Sequence, residues 1–71
     1  MFADKIRMLR KEHKMTQAEA GAKVGLTTLG YQNIELGSEP RYNSILRIAD
    51  YYDVSVDWLM GRTENRYAHR D

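Results

Sequence analysis

Residues 16–37 read TQAEAGAKVGLTTLGYQNIELG, and this stretch decides the fold. Thr16, followed three residues later by Glu19, is the capping-box pattern, in which two side chains satisfy amide donors at the start of a helix. We expect Gly25 to end that helix, because glycine readily adopts the left-handed conformation of a helix end. Thr27 can cap a second helix, which the final glycine of the stretch closes. The inward positions of this helix are Tyr31 and Ile34. The stretch therefore predicts two short helices joined by a tight turn, a helix-turn-helix unit.

The rest of the chain must bury this unit, because two short helices are not stable alone. With 71 residues, the chain fits one domain with a small core. The sequence has no cysteine, which excludes disulfides and thiolate-bound metals as stabilising elements. We therefore expect stability to come from compact helix packing, helped by dimerisation.

Apolar residues at helical spacing predict a helix before the unit. It begins near Phe2 and ends near His13 or Lys14, with Ile6 and Leu9 facing inward. Charged residues occupy the positions between them, as expected for an amphipathic helix on the outside of a small domain.

Two further helices follow the unit. Asn43 or Ser44 can cap the fourth helix, and Asp53 marks its end. Ser55 can cap a short fifth helix, which Gly61 terminates. The inward-facing positions of these two helices are Ile45, Ile48, Ala49, Tyr52, Val56 and Leu59. The sequence thus predicts an all-α fold of five helices.

We assign residues 1–61 to the helix-turn-helix domain. The remaining stretch, 62–71, reads RTENRYAHRD and has no apolar period. We expect it to be a flexible C-terminal tail or a partner-binding extension.

The sequence lacks the features of several classes of protein. No apolar run approaches the roughly 18 residues of a membrane span, and no signal-peptide core follows the N-terminus, so we expect a cytoplasmic protein. The chain has no serine–histidine–acid arrangement and no phosphate-binding loop, and its core is too small to enclose a substrate pocket. His13 and His69 lack the neighbouring carboxylates or cysteines of a metal site. We expect neither catalysis nor a cofactor or metal.

The charges are unevenly distributed along the chain. The whole sequence has 11 basic and 10 acidic residues, a net charge of +1. Residues 1–15 contain five basic and two acidic side chains, whereas residues 24–40 contain no lysine or arginine. A phosphate-binding surface normally carries a basic stripe. In this chain the stripe is faint.

Four segments in fixed order carry a family resemblance. They are TQAE at a helix start, KVGLT across the turn, IELG at the end of the next helix and VSVDWLMG near the end of the domain. With them the chain resembles the Cro/CI-type, XRE-like helix-turn-helix regulators of phages and bacteria over residues 6–61. The resemblance implies a compact five-helix domain of the lambda-repressor-like DNA-binding type. It also implies that helix 3, over residues 28–36, enters the DNA major groove and that the protein binds two-fold operators as a dimer.

The resemblance also assigns residues to the DNA. Gln17, at the start of helix 2, braces a phosphate and the recognition helix, while Thr27 offers its hydroxyl or amide to a phosphate. Asn33 is the best candidate for a direct base contact, because an amide can bond adenine in a bidentate manner, and Gln32 could do the same if the helix is rotated slightly. Arg41 is the basic residue of the phosphate-contacting loop. The remaining exposed positions of helix 3, which could contact thymine methyl groups, are Thr28 and Leu29.

Two structural roles complete the interpretation. The resemblance places Arg10 and Glu35 as a partly buried ion pair that ties helix 1 to helix 3. Trp58 is expected to be half exposed, since Leu59 beside it already fills the inward position, and a half-exposed tryptophan at the edge of a small domain suggests a dimer contact.

The sequence departs from the family pattern in helices 2 and 3. Ala20 and Gly21 stand where the family usually has leucine and alanine, which reduces packing and helix propensity. Gly30 lies inside helix 3, at a cost of about 1 kcal/mol relative to alanine. The first departure predicts thinner packing of helix 2, and the second predicts a less stable helix 3.

Two functions therefore remain open. The first is a Cro-like repressor, which reads a double-stranded DNA operator with helix 3. The second is a protein-binding modulator or antirepressor, which uses the same cation-poor face to engage a partner repressor through Leu29, Tyr31 and Leu36. We favour the first, on the strength of the family resemblance.

Overall fold

The computed structural model describes residues 2–69, which form an all-helical domain. Its five helices are α1 (Phe2–Glu12), α2 (Gln17–Lys23), α3 (Thr28–Glu35), α4 (Tyr42–Tyr52) and α5 (Val56–Leu59). No residue between 2 and 69 is in a strand. The predicted fold class is confirmed, and a radius of gyration of 11.2 Å is that of a compact chain of this length.

The α2–α3 unit is built by the local signals in its sequence. The Thr16 hydroxyl accepts a hydrogen bond from the Glu19 amide at 3.1 Å, and the Glu19 carboxylate accepts one from the Thr16 amide at 2.8 Å. Gly25 follows α2 with φ of +75°, a conformation that disfavours residues with a Cβ atom. The capping box and the glycine turn are therefore confirmed.

Helices α2 and α3 pack closely because Gly21 has no side chain. A Cβ atom at this position would lie 3.1 Å from Tyr31 Cβ and 3.3 Å from the carbonyl oxygens of Leu26 and Thr27. These distances are shorter than ordinary van der Waals contact. The departure from alanine thus has a packing reason that the sequence pattern does not show.

One core joins all five helices. Its most completely buried side chains include Ile6, Leu9, Tyr31, Ile48 and Leu59. The other buried members of the cluster are Ala20, Val24, Ile34, Ala49, Tyr52, Val54 and Trp58. The helix-turn-helix unit is therefore buried by the helices on either side of it, as its small size requires.

The predicted start of α4 was wrong. The residue that caps α4 is Arg41, in an extended conformation and without a side-chain capping bond, rather than Asn43 or Ser44. Pro40 keeps the preceding backbone out of the helix, and the Arg41 carbonyl then accepts the first helical bond, from the Ile45 amide at 3.1 Å. Ser44 lies buried within the first turn instead.

The C-terminal segment contacts the helical domain. Residues 62–65 form bends and irregular backbone and residues 66–69 form turns, without a helix. Arg66 makes an ion pair with Glu12 of α1. His69 Nε2 lies 2.9 Å from Asp53 Oδ1. The flexible tail remains a prediction, although its described part has contacts that the sequence did not indicate. Met1, Arg70 and Asp71 lie outside the described residues.

Candidate nucleic-acid interface

Helix α3 has two sharply different faces. Tyr31, Ile34 and Glu35 are buried against the rest of the domain. The outward-facing residues follow the spacing i, i+1, i+4, i+5, i+8, which places them on one face of a helix. They are Thr28, Leu29, Gln32, Asn33 and Leu36, all exposed except the half-buried Gln32. The residues that we predicted to read DNA on helix 3 thus share one accessible face.

The start of α3 is fixed by Thr27. Its side chain accepts a hydrogen bond from the Gly30 amide at 3.0 Å. Because the hydroxyl oxygen is the acceptor, the hydroxyl proton can still be donated to a phosphate oxygen. Thr27 is itself exposed, so both the cap and an anion contact are compatible with its position.

The end of α3 is fixed by a buried carboxylate. Glu35 is 4% exposed, and its two oxygens accept from Arg10 Nε at 2.7 Å and Arg10 Nη2 at 3.2 Å. Arg10 also donates to the Met15 carbonyl at 3.1 Å, just before α2. Gln17 Nε2 donates to Glu35 Oε1 at 3.2 Å. One carboxylate therefore holds α3 to α1 and to the start of α2.

The electrostatics of Glu35 follow from these partners. Burial alone raises the pKa of a carboxyl group, but the hydrogen bonds from Arg10, Tyr31 and Gln17 outweigh it, so that the pKa of Glu35 lies below its ordinary value. The hydrogen bond to Glu35 likewise raises the pKa of Arg10. Both groups are charged at neutral pH, and the pair contributes no net charge to the surface.

Sequence reasoning missed Arg7. Its Nη2 atom donates to the backbone carbonyl of Glu35 at 2.8 Å, and its Nε atom lies 3.8 Å from the carboxylate. Helix α3 has no basic residue in its last turn, so Arg7 of α1 supplies the positive charge that a helix C-terminus favours. The signal was the spacing of Arg7 and Arg10, which places both on one face of α1.

Gln17 connects the start of α2 to the end of α3. It is the first residue of α2 and is half buried, and its side-chain amide donates to Glu35. An amide group has two donor hydrogens and an acceptor oxygen. While it donates to Glu35, the Gln17 amide therefore keeps a second donor hydrogen and an acceptor oxygen for another hydrogen bond.

The outward face of α3 carries no cationic side chain. Leu29 is 66% exposed and Leu36 is 83% exposed. The basic residue nearest in sequence after α3 is Arg41, which is exposed at the start of α4. Contacts of this face with a ligand would therefore be amide, hydroxyl and apolar contacts rather than ion pairs.

Two residues proposed for a protein interface are not accessible. Tyr31 is fully buried, and its hydroxyl lies 3.5 Å from the Ile6 carbonyl oxygen. Trp58 is 8% exposed rather than half exposed, because Lys5 and Arg66 lie over its ring at 5.0 and 5.3 Å from the ring centre. The predicted half exposure of Trp58 was wrong, whereas the inward position predicted for Tyr31 is confirmed, and both side chains belong to the core and not to an accessible interface.

Two negative findings apply to the described part of the chain. None of its helices has the length and apolar character needed to cross a membrane. Nor do residues 2–69 bring together three or more histidine, cysteine, aspartate or glutamate side chains that could hold a metal ion.

Comparison with known proteins agrees with this geometry. Residues 6–59 match the family described as Helix-turn-helix. The chain is 36% identical, over its whole length, to the uncharacterized HTH-type transcriptional regulator YqaE of Bacillus subtilis, of which it covers 62%. It is 35% identical over 92% of its length to the uncharacterized HTH-type transcriptional regulator YobD of the same organism, of which it covers 59%. The chain thus spans less than two thirds of both relatives.

Proposed function

We propose that this chain, which belongs to the helix-turn-helix family, is a sequence-specific DNA-binding transcriptional regulator. Both similar proteins bear the name of transcriptional regulators. The regulator would act as a Cro-like repressor in the cytoplasm, through binding and not through catalysis.

The observation that carries this proposal is the two-faced construction of α3. Its inner face is held by Glu35 and its three side-chain partners from α1 and α2. Its outer face presents two amides, a hydroxyl and exposed leucines at helical spacing. A rigid helix with short polar groups on its free face suits the major groove, where base edges offer hydrogen bonds and thymine methyl groups.

Each outward residue receives a role from its chemistry. Asn33 and Gln32 would bond base edges, with Asn33 as the better candidate for adenine. Thr28 and Leu29 would contact thymine methyl groups. Phosphates would be contacted by Gln17, Thr27 and Arg41. These contacts would fix the orientation of the helix but carry no sequence information by themselves.

A two-fold operator would be bound by two copies. In dimers of such proteins the two recognition helices lie about 34 Å apart, one turn of DNA. We therefore expect an operator with two half-sites related by two-fold symmetry.

Selection of bound sequences from random duplexes, followed by titration of the selected sequence, tests this function and identifies the operator in the same experiment. We expect a two-fold sequence whose binding weakens steeply with salt. Asn33→Ala should cost about 1–3 kcal/mol of binding and relax the preference at one base pair, with the salt dependence unchanged. If no duplex is enriched or retarded even at low salt, the chain is not a DNA reader.

Arg41→Ala is the matched comparison for Asn33→Ala. Because Arg41 is assigned to a phosphate, its loss should weaken all sequences equally and reduce the salt slope by about one. An unchanged salt slope in this variant would remove Arg41 from the interface.

A second function is favoured by a specific observation. The high exposure of Leu29 and Leu36, together with the absence of cations on this face, also suits a partner repressor protein. In that case Leu29→Ala and Leu36→Ala should weaken a complex with the regulator encoded next to this chain more than Arg41→Ala does. Leu46→Ala, at an exposed leucine of α4, is the matched control. Size-exclusion chromatography with two independent peaks would count against this function.

A further inference from the structure

We propose that residues 62–69 form an intramolecular strap that covers Trp58 and opens without unfolding the five helices. The strap connects α1, α5 and the junction between α4 and α5. The hydrogen bonds and ion pairs of Arg62, Arg66 and His69 reach residues of α1, α5 and the α4–α5 junction rather than α3. The proposal therefore stands apart from the proposed DNA binding.

Arg66 is the centre of the strap. Its Nη1 and Nη2 atoms donate to the two Glu12 oxygens at 3.0 and 2.6 Å. The same guanidinium lies over the Trp58 ring, 5.3 Å from its centre. A planar guanidinium is suited to bind a carboxylate in a bidentate manner and to stack on an aromatic face at once.

Trp58 is covered from two sides. The Lys5 ammonium lies 5.0 Å from the ring centre and donates to the Trp58 carbonyl. Arg66 belongs to the strap, whereas Lys5 belongs to α1. The low exposure of Trp58 therefore depends partly on a segment outside the five helices, and removal of the strap exposes the ring.

Two further bonds position the strap. The Ser55 amide donates to the Arg66 carbonyl at 2.9 Å. Ser55 is buried and caps α5, where its hydroxyl accepts from the Trp58 amide at 3.2 Å. At the far end of the strap, His69 Nε2 lies 2.9 Å from Asp53 Oδ1. The Ser55 amide thus reports directly on whether the strap is closed.

The strap is held more weakly than the helices. It contains bends, irregular backbone and turns but no helix, and none of its residues belongs to the buried core cluster. The side chains of Arg66 and Glu12 are 25% and 40% exposed, so water screens their ion pair. Segments with few buried apolar contacts open at a lower free energy than the whole fold. Opening of the strap therefore precedes global unfolding.

Opening uncovers a surface of defined chemistry. It exposes an aromatic ring beside a carboxylate, a combination that fits an arginine-bearing segment. In the closed structure, the occupant is the chain's own Arg66. The strap thus keeps this surface filled from within the same molecule.

The full-length chain provides a direct test, since Trp58 is its single tryptophan. Quenching of tryptophan fluorescence by acrylamide and hydrogen exchange of the Ser55 amide are measured in wild type and in Arg66→Ala. We expect stronger quenching and faster Ser55 exchange in the variant. Amides of the buried part of α4 should change by no more than about fivefold, the effect of losing one exposed ion pair. Arg62→Ala, the same substitution elsewhere in the strap, should change neither signal.

A charge reversal distinguishes the ion pair from a general effect of substitution. The double variant with Glu12→Arg and Arg66→Glu should restore part of the wild-type protection of Ser55, whereas each single reversal should lose it. The proposal is overturned if Ser55 in wild type exchanges as slowly as the α4 amides. It is also overturned if Arg66→Ala leaves quenching unchanged or unfolds the whole chain.

Discussion

The inner and outer faces of α3 differ in what holds them. Tyr31, Ile34 and Glu35 on the inner face are at most 6% exposed, and Glu35 bonds side chains from two other helices. Leu29 and Leu36 on the outer face are 66% and 83% exposed. The comparison teaches that the side chains that stabilise the fold and the side chains that are free to meet a ligand lie on opposite sides of α3, with the C-capping Leu36 on the free side. Substitutions on the two faces should therefore have different consequences.

The largest effect is expected at Tyr31. Tyr31→Ala removes a fully buried aromatic ring, which should lower the free energy of unfolding by about 3–5 kcal/mol. Leu36→Ala, on the outer face, should change it by less than about 0.5 kcal/mol. Urea denaturation of both variants measures the contrast. Equal losses would mean that the two faces are not energetically distinct.

The next effect concerns Glu35 and depends on pH. Glu35→Gln leaves Arg10 without its counter-charge, and should cost about 1.5–3 kcal/mol at neutral pH. The folded-state pKa of Glu35 lies below its ordinary value of 4.5, so the stabilisation is complete above that pH. It is lost as the pH falls through the folded-state pKa.

Denaturation from pH 7 to pH 2 measures this dependence. The difference in stability between wild type and Glu35→Gln should shrink on the acid side. A difference that stays constant over this range would show that the charge of Glu35 does not stabilise the inner face.

A smaller loss is expected for Gly21→Ala, which intrudes on the inner face. The added methyl group meets Tyr31 Cβ and two backbone carbonyls, so overpacking should cost about 1–3 kcal/mol. Better helix propensity offsets about 1 kcal/mol of that cost. The net loss in thermal or chemical denaturation should reach up to about 2 kcal/mol. A stabilised variant would show that α2 and α3 can move apart easily.

The smallest effect, with the opposite sign, is expected for Gly30→Ala. The nearest atom to the added methyl group is the Thr27 hydroxyl oxygen at 3.1 Å, which must shift by a few tenths of an ångström while it keeps its capping bond from the Gly30 amide. We expect a gain of about 0.5 kcal/mol from reduced freedom of the unfolded chain. Gly30→Ala and Gly21→Ala are matched changes, and the same denaturation measurement should give them opposite signs.

Local features of the fold were predictable from the sequence. Three helices begin at the predicted caps, which are Thr16 with Glu19, Thr27 and Ser55, and α4 ends at Asp53. Each of these residues acts within four residues of its own position. The start of α4 was not predicted, because two polar residues that favour caps follow Pro40 and the backbone begins the helix before them. Short-range signals therefore gave the number of helices and most of their ends.

The candidate site was predictable in part. The outward residues of α3 follow from helical spacing once the inner face is known. The Arg7 bond to the Glu35 carbonyl joins positions 28 residues apart, and the Arg66 ion pair joins positions 54 residues apart. Helical spacing places Arg7 on the same face of α1 as Arg10, but a single sequence has no pattern that identifies the distant residues that such side chains contact. The burial of Trp58 was missed for this reason.

The sequence by itself determined the five helices and the face of α3 that is free to meet a ligand. Caps, glycines and apolar spacing act over one or two turns, and their physical effect is local. Only the tertiary structure decided that Gly21 allows the close approach of α2 and α3. It alone placed Arg7 at the end of α3 and Arg66 over Trp58. Those contacts depend on how the helices pack together, which local conformational preferences do not specify.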